Sequence, residues 1–298
     1  MEPMAGPVAK NVRQPAVAGL FYPADPVVCR EVAKSYLRAD ETNRPVRWIG
    51  GLVPHAGWKY SGAIAGRTIA TMAAADDVDV VVVFGAIHNQ LDTDSAVLDV
   101  NARWRVPGGE SELPGDIQRK LIKDQDLFVV DERFHRTEHA VEVELPLIQQ
   151  AWPKAKLLPL EIPVIEQAAE MGRLTAKCLI NARYRPVFLA SSDLTHYGPA
   201  YGFAPAGVGR QGLDWAREND RRLLELLMDR SAERVVSHVR QHHNACGGGA
   251  IAAMLAACDE LGSSQSRLLC HANSHEVWAD AANRPPTDAV GYAAMVIG

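Results

Sequence analysis

The chain has 298 residues, a formal net charge of −5, 47% hydrophobic residues and 22% charged residues. This composition is typical of a globular protein, and without a basic field or a run of Lys or Arg we expect no nucleic-acid partner. No apolar stretch near the N-terminus has the length of a secretory signal, and no run of about 18 apolar residues occurs. We therefore expect no membrane association, and small molecules or proteins as partners.

The cysteines are odd in number, widely scattered and never spaced as C-x-x-C. This pattern is typical of a reducing compartment rather than of a disulfide framework, so we expect a cytoplasmic protein. The cysteines are Cys29, Cys178, Cys246, Cys258 and Cys270.

Short apolar runs alternate with longer amphipathic segments along the chain, which predicts an α/β fold. In chain order, we predict a helix over Val27–Leu37, a strand over Trp48–Val53, a helix over Gly62–Ala75, strands over Val78–Phe84 and Ala96–Val100, and a helix over Glu112–Lys123. We then predict a helix over Val141–Trp152, a strand over Leu157–Ile162, a helix over Ile165–Ala182, a strand over Pro186–Ala190, helices over Trp215–Met228, Ala232–Gln241 and Ala250–Leu261, and strands over Arg267–Cys270 and Ala289–Ile297.

The strand over Val78–Phe84 carries the strongest signal, because the run "VDVVVVF" is nearly all β-branched and apolar. Such a strand is buried on both faces of a parallel sheet, and we expect Gly85 to end it at a turn. Together the elements predict one α/β domain over residues 1–298, with a central, largely parallel or mixed sheet flanked by helices. Residues 1–12 are expected to form a flexible N-terminus.

Polar side chains follow three of the predicted strands, where open α/β sheets bind their ligands. His55 follows Trp48–Val53, His88 follows Val78–Phe84, and the segment "SSDLTHYG" with Asp193 and His196 follows Pro186–Ala190. Each residue alone is more often an ordinary loop residue than part of a site. Because they share one predicted edge of the sheet, we interpret them together as a candidate site.

The segment "HHNACGGGA" places His242, His243 and Cys246 before three glycines. A local metal site would need His242 and Cys246 on one continuous helix, which the glycines disfavour. We therefore expect the helix to begin after them, Cys246 to pair with the distant His55 and His88, and the glycines to allow close packing or ligand approach. A thiol near a helix N-terminus favours the thiolate. A small buried thiol without function remains the alternative.

The segment "TEHAVEVELPL" carries Glu138, His139 and Glu142 at the start of the helix predicted over Val141–Trp152. Their spacing predicts one shared helix face. Acidic residues there either complement the helix dipole or contribute to a pocket, and the sequence leaves both open. Structural or surface roles are expected for the other histidines, which are His135, His238, His271 and His275.

These same motifs resemble the MEMO family, whose microbial members are also called AmmeMemoRadiSam system protein B. The similar segments run from "RQPAVAGLFYPADP" through "VPHAGWKYSG", "FGAIHN", "EHAVEVELPL", "SSDLTHYG" and "NACGGGAI" to "VGYAAMVIG". The family is similar in fold to class III extradiol ring-cleaving dioxygenases, which bind non-haem Fe(II). The resemblance implies metal-site positions at His55, His88 and Cys246, with Asp193, His196 and His139 in the same pocket.

The sequence departs from these relatives at two points. The ring-cleaving enzymes present two histidines and a carboxylate to iron, whereas the third position here is Cys246. Family members commonly have G-P-S-H or G-P-N-H around the second histidine, whereas this chain has "GAIH", with Ala86 and Ile87. The resemblance therefore implies the fold directly, and dioxygenase chemistry only as an expectation.

We expect a metal-dependent, dioxygenase-like oxidoreductase that acts on an unidentified small molecule, such as an aromatic diol. His196, oriented by Asp193, would serve as general acid or base. The resemblance favours iron, while two imidazoles and a thiolate also suit copper or zinc. The alternatives are a hydrolase with Cys246 as nucleophile and His196 as base, or a non-catalytic module that binds metal or a protein partner.

Overall fold

A computed structural model describes residues 11–39, 46–74, 78–124, 126–277 and 287–298. The strands are β1 Val12–Arg13, β2 Gly50–Val53, β3 Val80–Gly85, β4 Ala96–Leu98, β5 Arg103–Val106, β6 Gly109–Glu112, β7 Phe128–Val130, β8 Lys156–Glu161, β9 Pro186–Ser191, β10 His196–Tyr197, β11 Ser266–Asn273 and β12 Ala289–Ile297. The α-helices are α1 Pro26–Tyr36, α2 Trp58–Ala73, α3 Gly115–Asp124, α4 Glu132–His135, α5 Leu145–Ala151, α6 Ala168–Asn181, α7 Arg210–Met228, α8 Ala232–His242, α9 Gly248–Glu260 and α10 Ser274–Val277. Short 3-10 helices cover Glu142–Glu144 and Pro199–Tyr201.

The main sheet of the described residues is mixed and has nine strands. Its order is β10-β12-β2-β9-β3-β8-β4-β7, and β11 pairs with β12. The central strands β2, β9, β3 and β8 are parallel neighbours, whereas β12 and β4 join the sheet antiparallel. The prediction of one α/β domain with a largely parallel or mixed sheet is confirmed.

Strand β3 lies at the centre of the sheet, and all six of its residues are buried. Val80, Val82 and Phe84 face a core shared with α6, α8 and α9, while Val81 and Val83 face a second core that includes α2 and α5. Burial on both faces explains the continuous apolar run, as predicted. Gly85 is the last residue of the strand rather than a turn residue. Glycine is required at this position because a β-carbon would collide with the carboxylate of Glu161.

Helix α9 begins at Gly248, two residues before the predicted start, so the expectation that all three glycines precede the helix is wrong. Tertiary packing outweighs the weak helix propensity of glycine here. A β-carbon on Gly249 would overlap the carbonyl of Pro163, and one on Gly247 would lie 2.7 Å from Ser192 Cβ. The expected close packing of this helix start is confirmed.

Several predicted boundaries differ from the structure because short-range patterns miss long-range pairing. Glu112 ends β6 instead of starting a helix, and the three-stranded sheet of β1, β5 and β6 was not predicted. Helix α2 begins at Trp58 rather than Gly62, while the predicted end at Ala75 lies outside the described residues. Of the N-terminus expected to be flexible, residues 1–10 lie outside the described part, and Val12 pairs with Arg103.

The described helices lack the properties of membrane-spanning helices. None of them combines the length and the apolar character that a membrane-spanning helix needs.

Candidate metal centre

The candidate site lies at the carboxyl ends of three adjacent parallel strands. His55 follows the last residue of β2 by two positions, Asp193 follows β9 by two positions, and His88 follows β3 by three. Because β9 lies between β2 and β3, the loops after these strands meet at one edge of the sheet. The structure thus brings together residues that are 138 positions apart in sequence, such as His55 and Asp193.

The His55 ring is buried and held in one orientation by hydrogen bonds. The Ser191 hydroxyl donates to the carbonyl of Ala140 at 2.6 Å, and His55 Nδ1 lies 2.9 Å from the Ser191 Oγ atom. Since the single hydroxyl proton is used on Ala140, Ser191 Oγ accepts from His55 Nδ1. The Nε2 atom of His55 is then the nitrogen that faces the site, as in histidine ligands with a fixed second nitrogen.

Glu138 holds the other two imidazoles of the site. Its carboxylate accepts from the backbone N–H of His88 at 2.6 Å and lies 2.9 Å from His88 Nδ1 and 3.1 Å from His139 Nδ1. Burial alone would raise the pKa of Glu138, but hydrogen bonds from His139 and His88 hold that pKa well below its usual range. The carboxylate therefore fixes the loop around His88, where Ala86 and Ile87 depart from the family pattern.

His55, His88 and His139 form a cluster in which one ring nitrogen of each lies within 4.8 Å of the others. Their ring centroids are 4.5 to 5.2 Å apart. With each Nδ1 facing a hydrogen-bond acceptor, the three Nε2 atoms form a set of donors that could hold a metal ion.

Cys246 lies against this cluster, with its Sγ 3.2 Å from His55 Nε2. Burial alone would raise the pKa of Cys246, but the charge and hydrogen bond of His55, and then His88, lower it well below its usual value. Burial alone would lower the pKa of His55. The negative charges of Cys246 and Asp193 and the hydrogen bond to Cys246 outweigh burial and raise this pKa to about 9. The opposite directions of these two pKa shifts favour a thiolate and imidazolium pair when no metal is bound.

Asp193 and His196 lie beside the cluster. Asp193 accepts a hydrogen bond from the His55 backbone N–H at 2.9 Å, and its other oxygen lies 3.8 Å from His196 Nε2. That separation is too long for a hydrogen bond, so Asp193 acts on His196 through its charge. Burial lowers the pKa of His196, but Asp193 and the Cys246 charge raise it overall. The His196 side chain is 35% exposed as a whole, but its Nε2 atom is buried and has no hydrogen-bond partner among the described residues.

Glu142 does not belong to the site, and the prediction that Glu138 and Glu142 share a helix face is wrong. Glu138 lies in a loop, Glu142 begins the short 3-10 helix Glu142–Glu144, and α5 begins only at Leu145. Its buried carboxylate accepts from Arg13 Nη1 at 2.6 Å and from the Tyr22 hydroxyl at 2.8 Å. These bonds anchor the segment that places Phe21 against the His139 ring, with centroids 4.8 Å apart.

The remaining histidines lie in other surroundings. His242 is four residues before Cys246 but contacts the His238 ring, and His243 ends α8 in the left-handed conformation with φ 51°. His135 pairs with Glu161, His271 bonds to Asp220 at 2.9 Å, His238 lies 3.2 Å from Asn244 Nδ2, and His275 is part of α10. The sequence did not single out Ser191 as the anchor of His55, although it follows directly on the β9 apolar run.

Comparison with known proteins identifies the family. The profile of the Memo-like protein family matches residues 13–296. The chain belongs to this family. A MEMO1 family protein of Methanosarcina barkeri is 32% identical over 96% of this chain and 100% of its own length. MEMO1 family proteins of Thermococcus onnurineus and Methanopyrus kandleri are 29% and 30% identical, over 96% and 95% of this chain and 99% and 98% of their own lengths. The Memo-like match therefore spans all of the site residues described above.

Glu144 is a buried carboxyl group close to the site, and its two oxygens have no hydrogen-bond partner among the described residues. Burial raises the pKa of Glu144 well above its usual value, more than the charge of His55 lowers it. The folded protein therefore carries Glu144 protonated at a pH where the unfolded chain ionises it.

This difference predicts a pH-dependent cost in stability. Above the unfolded pKa of about 4.3, rising pH favours the unfolded state by up to about 1.4 kcal/mol per pH unit, until Glu144 ionises in the folded state. The Glu144→Gln variant cannot ionise, so its free energy of unfolding should rise relative to wild type between pH 5 and pH 7.5. Urea unfolding across that range measures it. A constant difference between the two proteins would show that Glu144 is ionised when folded.

Proposed function

We propose that the protein is a metal-dependent, dioxygenase-like oxidoreductase that acts on a small aromatic diol. The observation that carries this proposal is the meeting of three imidazoles and a thiolate at one sheet edge, with the Asp193 and His196 pair beside them. Family membership supports a shared site, and a cavity lined in part by Cys246 and His196 lies beside it.

The donor chemistry fits a transition metal. The donor cluster of the described residues consists of His55, His88 and His139. Cys246 contacts His55 at 3.2 Å and also hydrogen-bonds to His88, so it forms a second candidate donor set with these two histidines. We propose His55, His88 and Cys246 as the metal ligands, with the His139 imidazole next to them as a candidate fourth donor. Imidazoles suit iron, copper and zinc, and the thiolate favours the softer ions. We favour iron, because it supplies the one-electron chemistry that O2 activation requires.

The protein groups around the ligands would position the substrate and move protons. His196 would accept a proton from a substrate hydroxyl and later return it, since it lines the same cavity as Cys246 and its Nε2 has no other hydrogen-bond partner among the described residues. Asp193 raises the pKa of this imidazole, which makes its neutral form a stronger base, and also fixes the backbone of His55. Glu138 and Ser191 hold the imidazoles, so the donors need little rearrangement.

Oxygen consumption by reconstituted protein tests the proposal. Protein loaded anaerobically with Fe(II) should consume O2 when a panel of catechols is added, whereas the metal-free protein and the zinc-loaded protein should not. Full iron occupancy without O2 consumption on any catechol would instead favour a non-catalytic metal-binding or protein-interaction module.

The Cys246 and His55 ion pair supports a second candidate function. A thiolate 3.2 Å from an imidazolium is the arrangement of an activated cysteine nucleophile. The partner of Cys246 in that case is His55 rather than His196. Rapid iodoacetamide inactivation of a hydrolytic activity that persists after metal removal would favour the hydrolase, whereas metal protection of Cys246 against iodoacetamide would favour the metal site.

We also propose that the protein works in the cytoplasm. All five cysteines are free in the structure, and the site depends on a thiolate that an oxidising compartment would endanger.

A further inference from the structure

A cavity of about 350 Å³ lies beside the donor cluster, and Cys246 and His196 are among the residues that line it. Its aliphatic lining consists of the half-buried Val164 and Ala245 together with the almost fully buried Leu194 and Val239. A mostly apolar cavity with a few convergent polar groups is the usual form of a small-molecule site. Its volume suits a single ring-sized molecule.

Arg240 supplies a cation at the rim of this cavity. It lies in the last turn of α8, directly after Val239, and its side chain is 52% exposed. Its Nη2 donates to the carbonyl of Val164 at 2.7 Å, and its Nη1 lies 3.4 Å from Glu166 Oε1. Because a guanidinium has five N–H donors, these two contacts hold the group in place and leave donors for a ligand.

The cavity therefore combines an aliphatic lining, the ionisable side chains of Cys246 and His196, and the guanidinium of Arg240. A carboxylate is the anion that a planar guanidinium receives with two parallel hydrogen bonds. An apolar ring would replace water along Val164 and Ala245. A neutral ring would make no charge-assisted hydrogen bond to Arg240. A small hydrophilic anion would bond to Arg240 but would leave the aliphatic side chains in contact with water.

We propose that this cavity binds a ring-sized molecule with one carboxylate, the ring against Val164 and Ala245 and the carboxylate on Arg240. Binding of such a molecule does not depend on the proposed function. Only its role as the substrate of the oxidoreductase rests on that function. The ring then lies next to Cys246 and His196, where the proposed chemistry takes place.

Binding without turnover tests this inference. Ligand-observed NMR titrations under nitrogen would compare phenylacetate, its neutral analogue phenylacetamide, and acetate, using the full chain as purified. Phenylacetate should bind about tenfold more tightly than either of the others, since a charge-assisted pair and the aliphatic lining each contribute about that factor. The Arg240→Gln variant should lose the preference for the acid over the amide.

The matched control is Arg234→Gln, which removes the same charge from an exposed position on the same helix. It should keep the preference. Equal affinities for acid and amide in the wild type, an unchanged preference in Arg240→Gln, or acetate binding as tightly as phenylacetate would each overturn the inference. A preserved preference without O2 consumption on any catechol would sink the oxidoreductase proposal and leave this binding class standing.

Discussion

Replacing His88 by alanine is expected to lower the affinity for the metal by roughly 100-fold or more. Changes to groups that only orient a ligand already cost about 10- to 100-fold, and removal of a ligand leaves the site incomplete. His55→Ala should have an effect of the same size, because His55 and His88 belong to both donor sets. Elemental mass spectrometry after dialysis against a competing chelator would measure the occupancy.

The comparison of Cys246→Ala with His139→Ala identifies the third ligand. If Cys246 is a ligand, its replacement should match the loss in His88→Ala, and His139→Ala should have a smaller effect. The control is His242→Ala, since His242 lies four residues before Cys246 but contacts the His238 ring instead of the cluster. Loss of metal in His242→Ala, or retention in His88→Ala, would contradict the proposed centre.

The sheet edge could be predicted from the sequence because its causes are local. The β-branched run of β3 requires burial on both faces, and a parallel sheet follows from the alternation of strands and helices. Polar residues directly after such strands then lie at one edge. His55, His88 and Asp193 were found in this way, before any pairing of strands was known.

The support of these residues could not be predicted, because it depends on contacts distant in sequence. Glu138 reaches His88 across 50 positions, and Arg13 reaches Glu142 across 129. The spacing of Glu138 and Glu142 suggested one helix face, but Arg13, Tyr22 and the backbone of the N-terminal segment draw Glu142 away from the pocket. Local periodicity carries no information about such competition.

Cys246 shows a mixed outcome of the same kind. Its proximity to a helix N-terminus was readable from the glycines that follow it, and so was the tendency of its thiol to ionise. The start of α9 was misplaced because the glycines allow that helix to approach the carbonyl of Pro163, a contact that no local pattern reports. Sequence patterns thus identified the reactive groups, whereas long-range packing decided their partners.

The His196→Ala variant is expected to keep its metal and to lower Fe(II)-dependent O2 consumption by about 10²- to 10⁴-fold. That range is the usual contribution of a positioned acid or base. The metal should stay because His196 lies outside the cluster and meets Asp193 only at 3.8 Å, while Asp193 keeps its bond to the His55 backbone. Oxygen-electrode rates and metal content, measured on the same preparation, separate the two effects.

The His196→Gln variant distinguishes proton transfer from a structural role. Glutamine keeps polar atoms near Asp193 and Tyr201, whose ring centroid lies 5.0 Å from that of His196, but it cannot exchange a proton at neutral pH. If His196 moves protons, His196→Gln should be as slow as His196→Ala, and the pH profile of the remaining rate should lose the limb that the imidazole contributes. Recovery of the wild-type rate by glutamine would show that His196 only shapes the pocket.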